Sequence, residues 1–188
     1  MFETLVVSTR SPGVAQVTMN RPAVFNAFDE AMSAELDAAF ARLVADESVR
    51  LNLRGAKWYA DHIGDPAAAE ARVRAALEAD PESVEALTML EGLQRQPGRE
   101  ADLVATLRRR AEVEFDGDAR KAMLREASSL AEGPLGNVDL AAEIAAATLE
   151  VDDADATSID DLARLRRTQE RWEDLADLLG RRARLADD

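Results

Sequence analysis

The chain has 188 residues but no cysteine, a single histidine and few aromatic side chains. The lack of cysteine excludes disulfide bonds, thiolate metal sites and a cysteine nucleophile, and it is compatible with a reducing cytosol. Aromatic residues make up 4% of the chain and hydrophobic residues 47%. Because alanine and leucine, which favour helices, supply much of this apolar content, the composition predicts an α-rich fold.

Positive charge is also scarce. The 37 acidic side chains outnumber the 23 basic ones, which gives a formal net charge of -14. Phosphate groups and anionic lipid headgroups repel such a chain, so nucleic acids and membrane surfaces are unfavourable partners. The first 20 residues lack a basic segment followed by an apolar one, and no run approaches 18 apolar residues. We therefore expect a soluble, cytoplasmic protein.

The first 48 residues predict a β-hairpin followed by a helix. Residues 2–7 and 14–19 are short, β-branched and roughly alternating, and a Ser-Pro-Gly sequence separates them. This pattern is typical of two strands joined by a turn. After Pro22 the apolar residues recur at helical spacing, with Asp29 as the expected N-cap and an end near Ala45.

From Val49 onward the chain predicts helices only, and it repeats itself. A shift of 72 residues places residues 64–113 on residues 136–185 without a gap, and sixteen of these fifty positions are identical. Apolar positions and turn positions both match, which indicates a structural repeat. Each 72-residue unit contains four predicted helices, separated by short breaks such as Gly64-Asp65-Pro66. The predicted helices are 49–62, 66–79, 82–96, 99–113, 118–132, 137–150, 156–168 and 171–186.

The stretches GDPAAAEARVRAALEADPESVEAL and RWEDLADLLGRRARL resemble tetratricopeptide-type helical repeats. The resemblance covers residues 51–188, with a period of about 36 residues per hairpin instead of the usual 34. It implies antiparallel helical hairpins that stack into a solenoid and present an extended binding surface.

The N-terminal stretch is similar to another family. VAQVTMNRPAVFNAFDEAMSAELDAAFARLVADESVR resembles the start of the enoyl-CoA hydratase/isomerase (crotonase) family, in which a hairpin precedes an Asn-Arg-Pro turn and an Asn-Ala pair. Asn20-Arg21-Pro22 and Asn26-Ala27 carry the resemblance. It implies an acyl-CoA substrate and an abrupt change of parentage near residue 50, as in a chimera.

The catalytic part of that family is not recognisable. Its chemistry needs two backbone amides that hold the thioester oxygen, one of them in a glycine-rich loop after the third strand. Here the corresponding stretch reads LNLRGAKWYADHIGDP, and the helical repeat includes the same residues. No catalytic acid or base can be assigned, so we expect a chain without enzymatic activity; the alternative is a catalytically incomplete acyl-CoA-binding relative.

Other candidate sites are weaker. His62 would be the only imidazole of any metal site, and we interpret it as a helix C-terminal residue that interacts with the helix dipole. The stretch EVDDADATSIDD resembles a calcium loop superficially, but counted from Asp153 its sixth and twelfth positions are Ser158 and Arg164 instead of glycine and glutamate. We expect no metal and no cofactor. The apolar residues at helical spacing are interpreted as core: Leu53, Trp58, Trp172, Leu175, Leu178 and Leu179.

The arginines that recur in both units are the main polar candidate. Arg109 and Arg110 match Arg181 and Arg182, so a stacked array would bear a basic stripe on an acidic body. Such a stripe could bind acidic peptides or phosphate groups, or it could only complement helix dipoles in the last turn.

Together these features predict a mainly α protein. Its fold would be a short solenoid of about four antiparallel helical hairpins, preceded by a small β-hairpin and helix. The predicted domains are 1–48 and 49–188, and the predicted function is a non-catalytic scaffold that binds an unknown protein or peptide. The apolar residues of the N-terminal hairpin would either dock on the first repeat helices or pair with another chain through the open strand edge, and the second alternative predicts a homodimer.

Overall fold

The structure, a computed structural model, describes residues 5–11, 14–19 and 30–187. These residues fall into two compact units, one up to Pro81 and one from Glu82 onward. The predicted fold class is confirmed, because the described part is mainly α-helical, with antiparallel helical hairpins and one small β-hairpin.

The first unit contains strands β1 (Leu5–Ser11) and β2 (Val14–Met19), and helices α1 (Glu30–Trp58) and α2 (Pro66–Ala79). The described residues of the second unit form helices α3 to α8. Their bounds are α3 (Val84–Gln94), α4 (Glu100–Val113), α5 (Gly117–Glu132), α6 (Val138–Val151), α7 (Ala156–Thr168) and α8 (Trp172–Asp187).

The two strands pair antiparallel, as the sequence predicts, with Val7 opposite Val17. Val17 also packs against Ala39 of α1, which is fully buried and which Leu36 contacts as well. A two-stranded hairpin is marginally stable alone in water, so this contact with α1 supplies the apolar cover that the hairpin requires.

Helix α1 is longer than predicted. The sequence predicts one helix ending near residue 45 and another beginning at 49, but residues 30–58 are one continuous helix, extended by a π-helical turn at Tyr59–Ile63. No glycine or proline occurs between Glu30 and Arg54, so nothing interrupts helix propagation. An ion pair between Glu47 and Arg50 also spans the predicted gap.

Because α1 is continuous, it crosses the predicted boundary between the two domains. The boundary between residues 48 and 49 lies inside α1, whereas the compact units divide after Pro81. The separate parentage of residues 1–48 and 49–188 stays a prediction. The Asn-Arg-Pro and Asn-Ala positions on which it rests lie outside the described residues.

The 72-residue repeat is visible in the backbone. Gly64 and Gly136 occupy equivalent positions, and both adopt the left-handed conformation, with φ of 70° and 62°. The next residue caps the following helix in each case: Asp65 and Asn137 accept hydrogen bonds from the backbone amide three residues on, at 2.9 and 3.0 Å. A left-handed glycine followed by a capping side chain ends one helix and starts the next.

In the second unit each helix from α3 to α8 packs against the next along the chain. Alanines at the helix contacts let the backbones approach closely, and larger aliphatic residues fill the spaces between them. Each fully buried leucine or isoleucine stabilises the fold by roughly 1.5–3 kcal/mol. The largest fully buried side chains of this core are Leu107, Ile144, Ile159 and Leu165.

The longest helix, α1, has 29 residues, nine of which are charged. Within residues 5–11, 14–19 and 30–187, no helix combines the length and apolar composition needed to cross a bilayer.

Candidate protein-interaction surfaces

The four predicted arginines lie on the second helices of two hairpins, Arg109 and Arg110 on α4 and Arg181 and Arg182 on α8. Arg110 forms an ion pair with Glu91 of α3. Arg182 bonds Asp160 of α7 at 3.1 Å.

The other two arginines of this set also have partners. Arg181 Nη2 donates to the backbone carbonyl of Asp153 at 2.7 Å, and Arg109 interacts with a neighbouring group as well. Each arginine therefore already has a partner within the chain, and a common stripe that binds a ligand stays a prediction.

Glu91 is the most enclosed of the paired carboxylates, with 8% of its surface exposed. It accepts hydrogen bonds from Arg95, which follows the last residue of its own helix, at 2.6 Å, and from Arg110 on α4. Burial raises the pKa of Glu91, but the two arginines outweigh this effect and hold the pKa below its ordinary value of 4.5. The carboxylate therefore stays ionised and links α3 to α4.

Further ion pairs join successive hairpins of the second unit. Arg95, at the C-terminal end of α3, bonds Glu126 on α5 at 3.0 Å, and Arg164 on α7 bonds Glu132 on α5 at 2.8 Å. The first helices of the three hairpins are thus joined in order through partly exposed charges. Other ion pairs between elements of the second unit include Arg108–Glu143, Lys121–Asp152 and Arg125–Asp155.

A hollow of about 220 Å³ opens between α5, α6 and α7. Arg125 and Arg164 line it from neighbouring helices, and the Ser129 side chain is exposed beside them. The Nε atom of Arg125 is buried and makes no hydrogen bond. Asp161 is the one acidic residue in the lining, and the two arginines also pair with Asp155 and Glu132 outside it. The remaining lining residues are Ser128, Ala145 and Thr148.

The sequence pattern missed this hollow, although a signal for it exists. The paired charges Arg95 and Glu126 are 31 residues apart, and Glu132 and Arg164 are 32 residues apart. The signal is therefore a pair of opposite charges whose separation along the sequence is slightly less than the length of one hairpin, because such side chains contact each other between stacked hairpins.

The acidic stretch considered as a calcium loop is a turn between α6 and α7. Lys121 bonds Asp152 at 2.8 Å, and Asp155 caps α7 by accepting from the Ser158 backbone amide at 2.8 Å. Burial raises the pKa of Asp155, but hydrogen bonds from Ser158 and Arg125 outweigh it and lower the pKa to about 2. Its carboxylate is thus committed to a cap and an ion pair. Across the described ranges, no group of three or more ligating side chains could hold a metal ion.

The residues that could be aligned with a crotonase oxyanion loop are helical. Gly55 and Ala56 lie within α1, and Ala56 is fully buried. The amides of a helix interior donate to carbonyls of the preceding turn, so these cannot hold a thioester oxygen. His62 lies in the π-helical turn, stacked on Trp58 with ring centroids 6.0 Å apart.

Half of the residues interpreted as core are exposed. Leu53 and Leu178 are buried and Leu175 packs against the core, as predicted, but Trp58, Trp172 and Leu179 are each more than half exposed. The prediction was wrong for these three, because helical spacing identifies an apolar face without identifying what covers it.

No protein-family model matches the chain, and no curated protein matches it. Among solved structures, a crystal structure of MamA protein is similar at 18% identity, covering 77% of each chain with a TM-score of 0.45. A second crystal structure of MamA is similar at 17% identity over 86% of this chain and 96% of the other, also with a TM-score of 0.45.

Proposed function

We propose that the chain is a non-catalytic helical-repeat module that binds an acidic peptide segment of another protein. The observation that carries the proposal is the hollow between α5, α6 and α7, where Arg125 and Arg164 converge beside the exposed Ser129. A guanidinium group binds a carboxylate through two parallel hydrogen bonds, and each guanidinium has more donors than one carboxylate uses.

The titratable groups support binding rather than chemistry. The pKa values of Glu132 and Asp152 are lowered by hydrogen bonds from Arg164 and Lys121, respectively. A general acid or base requires a pKa near the working pH, whereas these shifts move the carboxylates further from neutrality. Their ion pairs hold neighbouring hairpins in place, which suits a scaffold.

The predicted stripe of Arg109, Arg110, Arg181 and Arg182 remains a second candidate for the same ligand. Its members have intramolecular partners, and a peptide carboxylate would have to compete with those partners. Arg125 and Arg164 also have such partners, in Asp155 and Glu132, but the Arg164 side chain is 53% exposed and accessible from solvent.

A titration of ¹⁵N-labelled protein with a hexapeptide of alternating aspartate and glutamate tests the proposal. We expect saturable amide shifts in α5 and α7 around Ser129 and Arg164. Arg164→Gln should weaken binding about tenfold, since a hydrogen bond to a charged group contributes roughly 1.5 kcal/mol or more. Arg167→Gln is the matched control, because Arg167 is exposed on the same helix outside the hollow.

The same spectra distinguish the alternatives. Shifts confined to Arg109, Arg110, Arg181 and Arg182 would transfer binding to the predicted stripe and exclude the hollow. No saturable shift with the acidic peptide, or equal shifts with a hexapeptide of asparagine and glutamine, would contradict the proposed function. A separate titration with crotonyl-CoA tests the acyl-CoA alternative, which requires shifts in the first unit.

A further inference from the structure

The outer side of α1 bears an apolar stripe that no described residue of the first unit covers. We define the α1 stripe as Phe40, Val44, Leu51 and Trp58, whose surfaces are between 53% and 71% exposed. Leu53 and Ala56 are buried on the opposite side of the same helix. A helix that is apolar on two sides is suited to burial on both.

The spacing of the α1 stripe is that of a helix pairing with another helix. Val44, Leu51 and Trp58 are seven residues apart, and Phe40 precedes Val44 by four. At 3.6 residues per turn, the four residues lie within an arc of about 40° and extend along about 27 Å of helix. Sustained seven-residue spacing is the pattern of left-handed helix pairs.

The C-terminal end of the stripe contains a hollow of about 520 Å³. Leu51 and Trp58 line it, and Gly55 lies between them without a side chain. Such a space accepts a large apolar side chain from an opposing helix. The other lining residues are Arg54, Lys57, Asp61 and His62.

Charge along α1 is segregated by sign. Residues 30–49 contain five acidic side chains and one arginine, whereas residues 50–58 contain three basic side chains and no acidic one. Two such helices repel in parallel, but in antiparallel orientation each acidic segment faces the basic segment of the other. The complementary surface for α1 is therefore a second, reversed α1.

We infer that the α1 stripe docks on the α1 stripe of a second copy of this chain, antiparallel, about a two-fold axis near residue 49. This register places Phe40 of one copy in the hollow beside Trp58 of the other. It also brings Glu47 close to Arg54 of the second copy, twice by symmetry. The interface differs from the predicted pairing of β-hairpin edges and does not depend on the proposed peptide-binding function.

Sedimentation velocity across a dilution series tests whether the dimer forms. We expect the mass to rise from one chain to two with concentration. Leu51→Arg should weaken association at least about tenfold, because the arginine would be at the centre of the apolar contact. Phe115→Asp is the matched control, since Phe115 is fully exposed in the second unit and lies outside the stripe. Circular dichroism of each variant confirms that both retain the helical fold.

A charge exchange tests the orientation. Glu47→Arg and Arg54→Glu should each be monomeric, because each places like charges opposite one another at two points of the homodimer. An equimolar mixture of the two variants should form a heterodimer, since both contacts then join opposite charges. In parallel pairing residue 47 would face residue 47 and residue 54 would face residue 54, so like charges would already meet in the wild type and neither single substitution would weaken association.

Three outcomes would overturn the inference. The wild-type chain could stay monomeric at several hundred micromolar, which would leave the stripe to another partner or to residues outside the described ranges. Leu51→Arg could leave the dimer intact, which would favour the hairpin edge. The mixture of the two charge variants could also fail to associate, which would exclude the antiparallel register.

Discussion

Arg110 and Arg182 occupy equivalent positions of the 72-residue repeat, but the ion pair of Arg110 is less exposed to solvent than that of Arg182. This difference in exposure yields a quantitative prediction. Arg110 forms an ion pair with Glu91, and the two side chains are 17% and 11% exposed. Arg182 forms a pair with Asp160, and those side chains are 38% and 59% exposed. The same substitution at the two positions therefore compares an enclosed ion pair with an open one.

Arg110→Met should lower the free energy of unfolding by about 2 kcal/mol. Breaking a fully buried pair costs roughly 3–5 kcal/mol, but Arg95 still bonds Glu91 and solvent reaches both partners in part, so we use a smaller figure. Arg182→Met should cost less than about 1 kcal/mol, as is usual for exposed pairs. Urea unfolding followed by circular dichroism measures both, and the difference corresponds to a shift in Tm of a few degrees.

The cost of Arg110→Met should also depend on pH. The folded pKa of Glu91 lies below its ordinary value of 4.5, so its contribution to stability is complete above that value and is lost as the pH falls through the folded pKa. The difference in unfolding free energy between wild type and Arg110→Met should therefore decrease as the pH drops from 7 to 3. Two results would refute the reasoning. One is an equal loss of unfolding free energy in the two arginine variants. The other is a difference between wild type and Arg110→Met that does not change with pH.

Three further predictions concern single positions of the second unit and the same unfolding assay. Gly136→Ala should destabilise by about 1 kcal/mol because φ is positive, whereas Gly92→Ala, inside α3 with open space around it, should stabilise by up to about 1 kcal/mol. Leu107→Ala should cost about 2–5 kcal/mol and its repeat equivalent Leu179→Ala less than about 1, since only Leu107 is buried. Asp155, with its pKa near 2, should contribute stability above pH 4 that is lost toward pH 2, and Asp155→Asn should remove this dependence.

Helix breaks were predictable from the sequence because their causes are local. Gly64 adopts a left-handed conformation and Asp65 caps the helix that begins at Pro66, so three consecutive residues define one turn. The fusion of two predicted helices into α1 is the exception. Residues 46–48 are polar but contain no glycine or proline, and polarity alone does not end a helix.

Partners across the structure were not predictable from local patterns. Glu91 and Arg110 are 19 residues apart, and the sequence gives no sign that this carboxylate is enclosed while Asp160 is open. Leu107 and Leu179 have the same spacing to their neighbours and opposite exposure. Periodicity indicates which side of a helix is apolar, but burial depends on whether another element packs there.

The ion pairs between successive hairpins have a mechanical consequence. The apolar contacts between helices are not weakened by electrostatic screening, whereas partly exposed pairs such as Arg95–Glu126 are screened once the Debye length falls to a few ångströms. Concentrated salt should therefore soften the second unit against bending and twisting while its helices remain intact. The stiffness of the unit would then depend on ionic strength. The buried alanines and leucines would keep the helices packed, and the charges at the periphery would set the resistance to bending and twisting.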